Sequence, residues 1–134
     1  MDHFNFCTKT EKMAIVRSSL IIAGENISYS QSEFMGLMVM LMGERPTFFD
    51  SLGSMDNTTM IQTLKNMDAE KKNIVVNVWY EVARRTSGVY FSAVRTFDDF
   101  PSVRETVECL AFFCEIKLDL SRVPNHILFG FDRI

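Results

Sequence analysis

One stretch of the sequence, Phe34 to Met42, consists of nine consecutive residues without a polar side chain, FMGLMVMLM. A capping-box pattern, Ser30 with Glu33, precedes it and predicts a helix over residues 31–43. A helix that is apolar on every side is normally enclosed by protein, and this stretch is only about half as long as a membrane-spanning helix. We therefore expect a central core helix. Because methionine packs against varied partners, the alternative is an open apolar groove between this helix and the one that contains Trp79.

Capping signals predict a helix on either side of this stretch. Thr8 and Glu11 form a capping box that begins a helix over residues 9–23. Gly24 ends that helix, since glycine accepts the left-handed conformation common at helix C-termini. Trp79, the single tryptophan, is predicted to be a buried anchor whose indole N–H has a partner.

Further helices are predicted downstream from the same signals and from apolar residues at helical spacing. They are a short helix or turn over residues 47–55, a short helix capped by Asp56 or Asn57 and ending at Met67, a long helix from an Asp68 cap to about Arg85, and a helix to about Lys117 opened by a Ser102–Glu105 capping box after Pro101. Residues 89–97 fit a helix or a short extended run. The apolar tail, residues 118–134, is expected to dock on the helices or to join a dimer contact.

These elements predict an all-α fold, a bundle of six to seven helices in which residues 1–134 form a single helical domain. The chain is 47 % apolar and 23 % charged, which argues against disorder. A net charge of −3 without clustered basic residues argues against a nucleic-acid partner. Without a membrane-length apolar run or a signal-peptide pattern, we expect no membrane insertion and a cytoplasmic location, where the three cysteines remain free thiols.

Two turns with related sequences each follow a long apolar helix: AGENI at residues 23–27 and TSGVY at residues 86–90. With their flanking helices, over most of residues 13–95, they resemble the TerB-like family, which is associated with tellurite resistance. Members of that family carry a helix, an Ala-Asp-Gly-x-Ile turn and a second helix that opens with Glu, and this unit recurs later in the chain. The resemblance implies a TerB-like helical bundle.

The resemblance also points to a cation site, because the family's turn aspartates and helix glutamates form a carboxylate cluster, and hard divalent cations prefer several oxygen ligands. Here Gly24 and Ser87 occupy the two aspartate positions. Glu25 is a possible substitute carboxylate, and Glu33 is the helix-opening glutamate. The alternative for this pair is a solvated Glu25 and a Glu33 that only caps its own helix.

Other chemistry finds little support in the sequence. Cys109 and Cys114 lie about 140° apart around their helix, so they cannot share a metal. A nucleophilic Cys7 or Cys114 with His126 as its base has no local motif to mark it. We therefore expect no enzyme activity and no cofactor. The leading function is a protein-interaction or structural accessory module with a protein partner or a homo-oligomer, and the alternative is a weak divalent-cation-binding stress-response protein that uses Glu25 and Glu33.

Overall fold

A computed structural model describes residues 7–24, 31–43, 55–86 and 101–118. These residues form five α-helices and no strand, which agrees with the predicted all-α class. The helices are α1 Lys9–Ala23, α2 Gln31–Met42, α3 Asn57–Lys65, α4 Ala69–Thr86 and α5 Pro101–Cys114. The possible elements at 47–54 and 89–97 and the tail beyond Leu118 lie outside the described residues, so the total number of helices stays a prediction. Among the helices described, none combines the length and apolar character needed to cross a bilayer.

The predicted N-terminal caps of three helices are confirmed. In α1 the capping box is complete: the Glu11 backbone N–H donates to Thr8 Oγ1 at 3.1 Å, and the Thr8 backbone N–H donates to Glu11 Oε1 at 2.8 Å. Asp56 caps α3 by accepting from the Thr59 backbone N–H at 2.7 Å. Asp68 likewise accepts from the Lys71 backbone N–H at 2.9 Å and caps α4. Each bond satisfies a donor that the helix itself leaves without a partner.

The start of α5 differs from the prediction. The helix begins at Pro101, so Ser102 lies inside the first turn and the predicted Ser102–Glu105 capping box is wrong. Proline suits the first helical position because its fixed φ is already helical and its missing N–H would have no intrahelical acceptor there.

The end of α5 also differs, since the helix stops at Cys114 and not near Lys117. Glu115 takes the left-handed conformation (φ 53°). The Ile116 N–H donates to the Ala111 carbonyl at 2.8 Å and the Glu115 N–H to the Phe112 carbonyl at 3.3 Å. This pair of bonds is a Schellman motif, which ends a helix by supplying N–H donors to carbonyl groups of its last turn.

The glycines at the ends of α1 and α2 behave differently from each other. Gly24 follows the last residue of α1, as predicted, but it keeps a right-handed conformation with φ −64°. Gly43 follows α2 with φ +69°, the left-handed conformation that glycine adopts without a steric penalty. The predicted left-handed glycine stop therefore occurs after α2 and not at Gly24.

The helix at the centre of the described fold is α1, which contacts all four other helices. Its buried residues lie on every side: Met13, Ala14, Ile15, Val16, Ser18, Ser19, Ile22 and Ala23. By contrast, α2 contacts α1 and α4 and leaves Met40 47 % exposed. The expectation that α2 is enclosed by protein is therefore wrong for the face that carries Met40.

Trp79 is fully buried, and its Nε1 donates to Ser18 Oγ at 2.9 Å. Ser18 in turn donates to the Ile15 carbonyl at 2.9 Å. The prediction of a buried, partnered tryptophan is confirmed, and this bond joins α1 to α4. Residues 75–83 of α4 are all buried, so this half of α4 is enclosed as α1 is.

Candidate functional site

The two predicted cation ligands, Glu25 and Glu33, are not among the side chains that the structure describes. Glu25 is outside the described residues. Glu33 belongs to the first turn of α2, but only its backbone is described. Among the described residues, no group of three or more His, Cys, Asp or Glu side chains is arranged to hold a metal ion. The Glu25–Glu33 site therefore stays a hypothesis.

The predicted nucleophiles are buried thiols. Burial raises the pKa of Cys114 to about 11, and the charge of Lys72 only partly opposes this. Burial is also the main cause that raises the pKa of Cys7, and the carboxylate of Glu11 adds to it. Because the thiolate is the reactive form, the raised pKa values favour the less reactive thiol form of both cysteines at neutral pH. His126, the base considered for them, is outside the described residues.

The exposed face of α5 carries an aromatic pair. Phe112 is 77 % exposed and Phe113 is 57 % exposed. Their ring centroids are 5.5 Å apart in an edge-to-face arrangement with an interplanar angle of 78°. Large exposed apolar side chains that lie next to each other mark an interaction surface more often than single ones do.

We call the outward face of α5 the α5 surface and define it by five exposed residues. They are Glu105, Glu108, Cys109, Phe112 and Phe113. At 3.6 residues per turn these positions fall within about 140° of the helix circumference. Val107, Leu110 and Cys114 lie on the opposite side of the helix and are buried.

A groove of about 390 Å³ runs beside the aromatic pair. It is lined by Ile21, Glu105, Thr106, Cys109, Leu110 and Phe113. Ile21 comes from the last turn of α1, which packs against α5. The buried Leu110 and the partly buried Ile21 give the groove an apolar floor. The α5 surface therefore combines a projecting ring, Phe112, with an apolar recess next to it.

Different charges lie near the two ends of α5. Glu105 and Glu108 are exposed toward its N-terminal end. Past its C-terminal end, Lys65 Nζ lies 3.1 Å from Glu115 Oε2. Lys72 Nζ donates to the Glu115 carbonyl oxygen at 3.0 Å, and Lys117 is exposed. Three lysines and one glutamate thus gather where α5 ends, which also suits the negative end of the helix dipole.

A second cavity, of about 540 Å³, lies between the start of α4 and the segment that follows α5. It is lined by Met67, Ala69, Lys72, Asn73, Val76, Glu115, Ile116, Lys117 and Leu118. Its volume is in the range of small-molecule sites, about 300–1,000 Å³. The Lys72 ammonium on its wall is already engaged by the Glu115 carbonyl. This cavity shows no nucleophile paired with a base among its lining residues.

Two polar features escaped the sequence analysis. Glu81 is 1 % exposed, in the middle of the buried half of α4. Ser19 is fully buried, and its Oγ has no hydrogen-bond partner among the described residues. A signal for the burial of Glu81 was available in the sequence, since Val78 and Val82 lie near it on the same side of the helix.

No family model, curated protein or solved structure matches this chain. The TerB-like resemblance therefore remains a hypothesis based on the turns at residues 23–27 and 86–90, most of which lie outside the described residues. The geometry of the α5 surface is independent of that resemblance.

Proposed function

We propose that this chain is a non-enzymatic, cytoplasmic helical bundle of the TerB-like type that acts as a protein-interaction module through its α5 surface. The observation that carries the proposal is the exposure of Phe112 and Phe113 side by side on α5. Burying one such side chain fully stabilises a complex by about 1.5–3 kcal/mol relative to leaving it in water. Aromatic residues are enriched in protein interfaces for this reason.

The surroundings of the aromatic pair support a protein partner. Glu105 and Glu108 make the adjacent surface acidic, which disfavours nucleic acid and anionic lipid, since both require basic residues. The recess beside Phe113 offers a place for an apolar side chain of the partner. The buried, protonated state of Cys7 and Cys114 supports a role without covalent catalysis. All three cysteines are free, which supports the cytoplasmic location.

The test is photo-crosslinking in cells, with a photoreactive amino acid at position 112. Met40, a 47 % exposed apolar residue on α2, provides the matched control position. We expect a protein that crosslinks at 112 and not at 40. That protein must also bind the purified chain, and Phe112→Ser must weaken binding at least about tenfold, which corresponds to 1.4 kcal/mol. Equal yields at the two positions would refute the proposal.

A further inference from the structure

We propose that the α5 surface binds a basic amphipathic helix of its partner protein, with an apolar side chain of that helix in the recess and a lysine or arginine beside Glu105. This inference rests on the proposed function and names the chemical class of the segment that binds. Three features of the recess support it: the sign of its charge, its apolar floor, and its position between two helices.

Glu105 gives the recess a negative charge. It is exposed, and the other described residues that line the recess are uncharged. The ion pairs between described residues, those of Lys65 and Lys71, do not involve Glu105. A segment that binds in the recess therefore gains from a positive charge near Glu105 and loses from a negative one.

The floor of the recess is apolar, and one of its walls is an exposed ring. Leu110 is 7 % exposed and Ile21 is partly buried, and Phe113 lies beside them. Leu110 follows Glu105 in α5 at a distance of about 7.5 Å along the helix axis. In a partner helix, residues four positions apart lie on one face and are separated by about 6 Å along its axis. One turn of that helix can therefore supply both the apolar side chain for the recess and the long basic side chain for Glu105.

The recess lies between the last turn of α1 and the outward side of α5, two helices that pack against each other. It is therefore a groove between helices, and a third helix can fit a row of its side chains into such a groove. Binding of an amphipathic helix in an apolar groove uses anchor residues three or four positions apart. Strand addition, another common mode of peptide binding, needs a free sheet edge, and the part of the chain that the structure describes contains no strand. A second apolar residue of the partner helix then covers Phe112, which is 77 % exposed next to the recess.

The first experiment measures the binding of two designed peptides to the purified full chain by fluorescence anisotropy. Both peptides are labelled helices with leucine along one face, and the other face carries lysine in one peptide and glutamate in the second. We expect the lysine peptide to bind at least about tenfold more tightly at low salt, because like charges across an interface repel each other. Salt is expected to reduce this preference, since exposed charges are screened. Equal binding of the two peptides, or no binding of either, would overturn the inference.

Charge reversal at Glu105 tests whether the preference comes from the recess, because the whole chain carries a net charge of −3. Glu105→Lys is expected to shift the preference toward the glutamate peptide by about fivefold. Glu70→Lys makes the same change in net charge at an exposed residue of α4 that does not line the recess, and it is expected to have a much smaller effect. Phe113→Ser is expected to weaken binding of the lysine peptide at least about tenfold, whereas Met40→Ser on α2 leaves it unaltered. Circular dichroism checks that each variant is folded, and equal effects of Glu105→Lys and Glu70→Lys would contradict the inference.

Cys109 reports where the peptide binds, because it lines the recess and is exposed, whereas the other two cysteines are buried. The lysine peptide is expected to slow the reaction of Cys109 with a thiol reagent in proportion to the fraction of chain bound. Unchanged reactivity at saturation would place the peptide elsewhere and refute the inference. Two other occupants of the recess would also refute it. One is a second copy of this chain, shown by a dimer that the peptide dissociates, and the other is residues 119–134, shown by a peptide of that sequence that binds more tightly than the lysine peptide.

The same variants separate this inference from the proposed function. The protein that crosslinks at position 112 is expected to lose about fivefold in affinity for Glu105→Lys and to bind Glu70→Lys as it binds the wild type. A crosslinked protein that binds both variants as tightly as the wild type would leave the proposed function standing and would overturn the inference about its binding segment.

Discussion

Two neighbouring buried serines on α1 allow one hydrogen bond to be tested against an internal control. Ser18 Oγ accepts from Trp79 Nε1 at 2.9 Å, whereas Ser19 Oγ has no partner among the described residues. Both side chains are fully buried. Ser18→Ala and Ser19→Ala make the same chemical change at adjacent helical positions, so the gain in helix propensity, about 0.5 kcal/mol, is common to both.

The expected effects have opposite signs. Ser18→Ala leaves the indole N–H buried without an acceptor, which costs about 1–3 kcal/mol. After the propensity gain, we expect the free energy of unfolding to fall by about 1–2 kcal/mol. Ser19→Ala removes a buried hydroxyl that makes no bond, so we expect the free energy of unfolding to stay unchanged or to rise by about 1 kcal/mol. The two variants should therefore differ by about 1–3 kcal/mol, with about 2 kcal/mol as the central value.

Urea unfolding followed by far-ultraviolet circular dichroism measures this difference. With a slope of about 2 kcal/mol per molar urea, the two midpoints should be separated by about 1 M. Equal midpoints would refute the reasoning, since they would mean that the bond between Ser18 and Trp79 contributes nothing beyond burial. A changed slope in either variant would point to a change in the compactness of one of the states.

Three further predictions concern charge and thiol chemistry. Burial alone would raise the pKa of Glu11, but the Thr8 N–H and the Lys71 ammonium lower it below the usual glutamate value. Glu11→Gln should therefore destabilise the protein near neutral pH and have no effect in acid. The wild type should lose this stability as the pH falls below the ordinary glutamate range through the lowered pKa, which urea midpoints measured against pH will show. At neutral pH a thiol reagent should modify Cys109 alone in the native protein and all three cysteines in urea. The reason is that Cys7 and Cys114 are buried, and burial raises the pKa of Cys114 to about 11. Rapid modification of three thiols in the native protein would contradict the described burial. Millimolar Ca²⁺, Mg²⁺, Mn²⁺ or Zn²⁺ should change thermal unfolding equally in the wild type and in Glu25→Gln/Glu33→Gln. If instead an ion binds the native wild type at these residues, at 100 times its Kd it would raise the free energy of unfolding by about 2.7 kcal/mol in the wild type alone, which would establish the cation site.

The helix positions were the most predictable part of the fold, because they depend on local signals. Thr8, Asp56 and Asp68 each accept a backbone N–H that the following helix leaves free, and a side chain three residues away is enough to identify such a cap. The start of α5 was missed because the serine-glutamate pattern at Ser102 competes with Pro101. Both residues favour a helix start, and the pattern alone does not say which one occupies the first position.

The packing of the helices was less predictable than their positions in the sequence, because it depends on which helix faces contact each other. The sequence of α2 is more apolar than that of α1, yet α1 is the enclosed helix and α2 exposes Met40. The sequence did not predict the bond between Ser18 and Trp79, which satisfies the buried hydroxyl of Ser18. The local sequence around Ser18 cannot indicate a hydrogen-bond partner that lies 61 residues away in the chain.

The candidate site was partly visible in the sequence. Helical spacing assigns Val107, Leu110 and Cys114 to the inside of α5, and this leaves Phe112 and Phe113 on the outside. The pattern did not show how exposed the two rings are, because a neighbouring segment could have covered them. The recess beside them depends on Ile21 of α1 and could not be predicted without the fold.

The central position of α1 has a consequence for the time course of synthesis. Its hydrogen-bond partner Trp79 follows Ser18 by 61 residues. At about 5–20 residues per second, the ribosome adds that length in about 3–12 seconds. Throughout this interval α1 has been synthesised but the helices α4 and α5, which pack against it, are not complete. Of the described helices α1 is synthesised first, and its apolar sides are fully covered only after α4 and α5 have followed it.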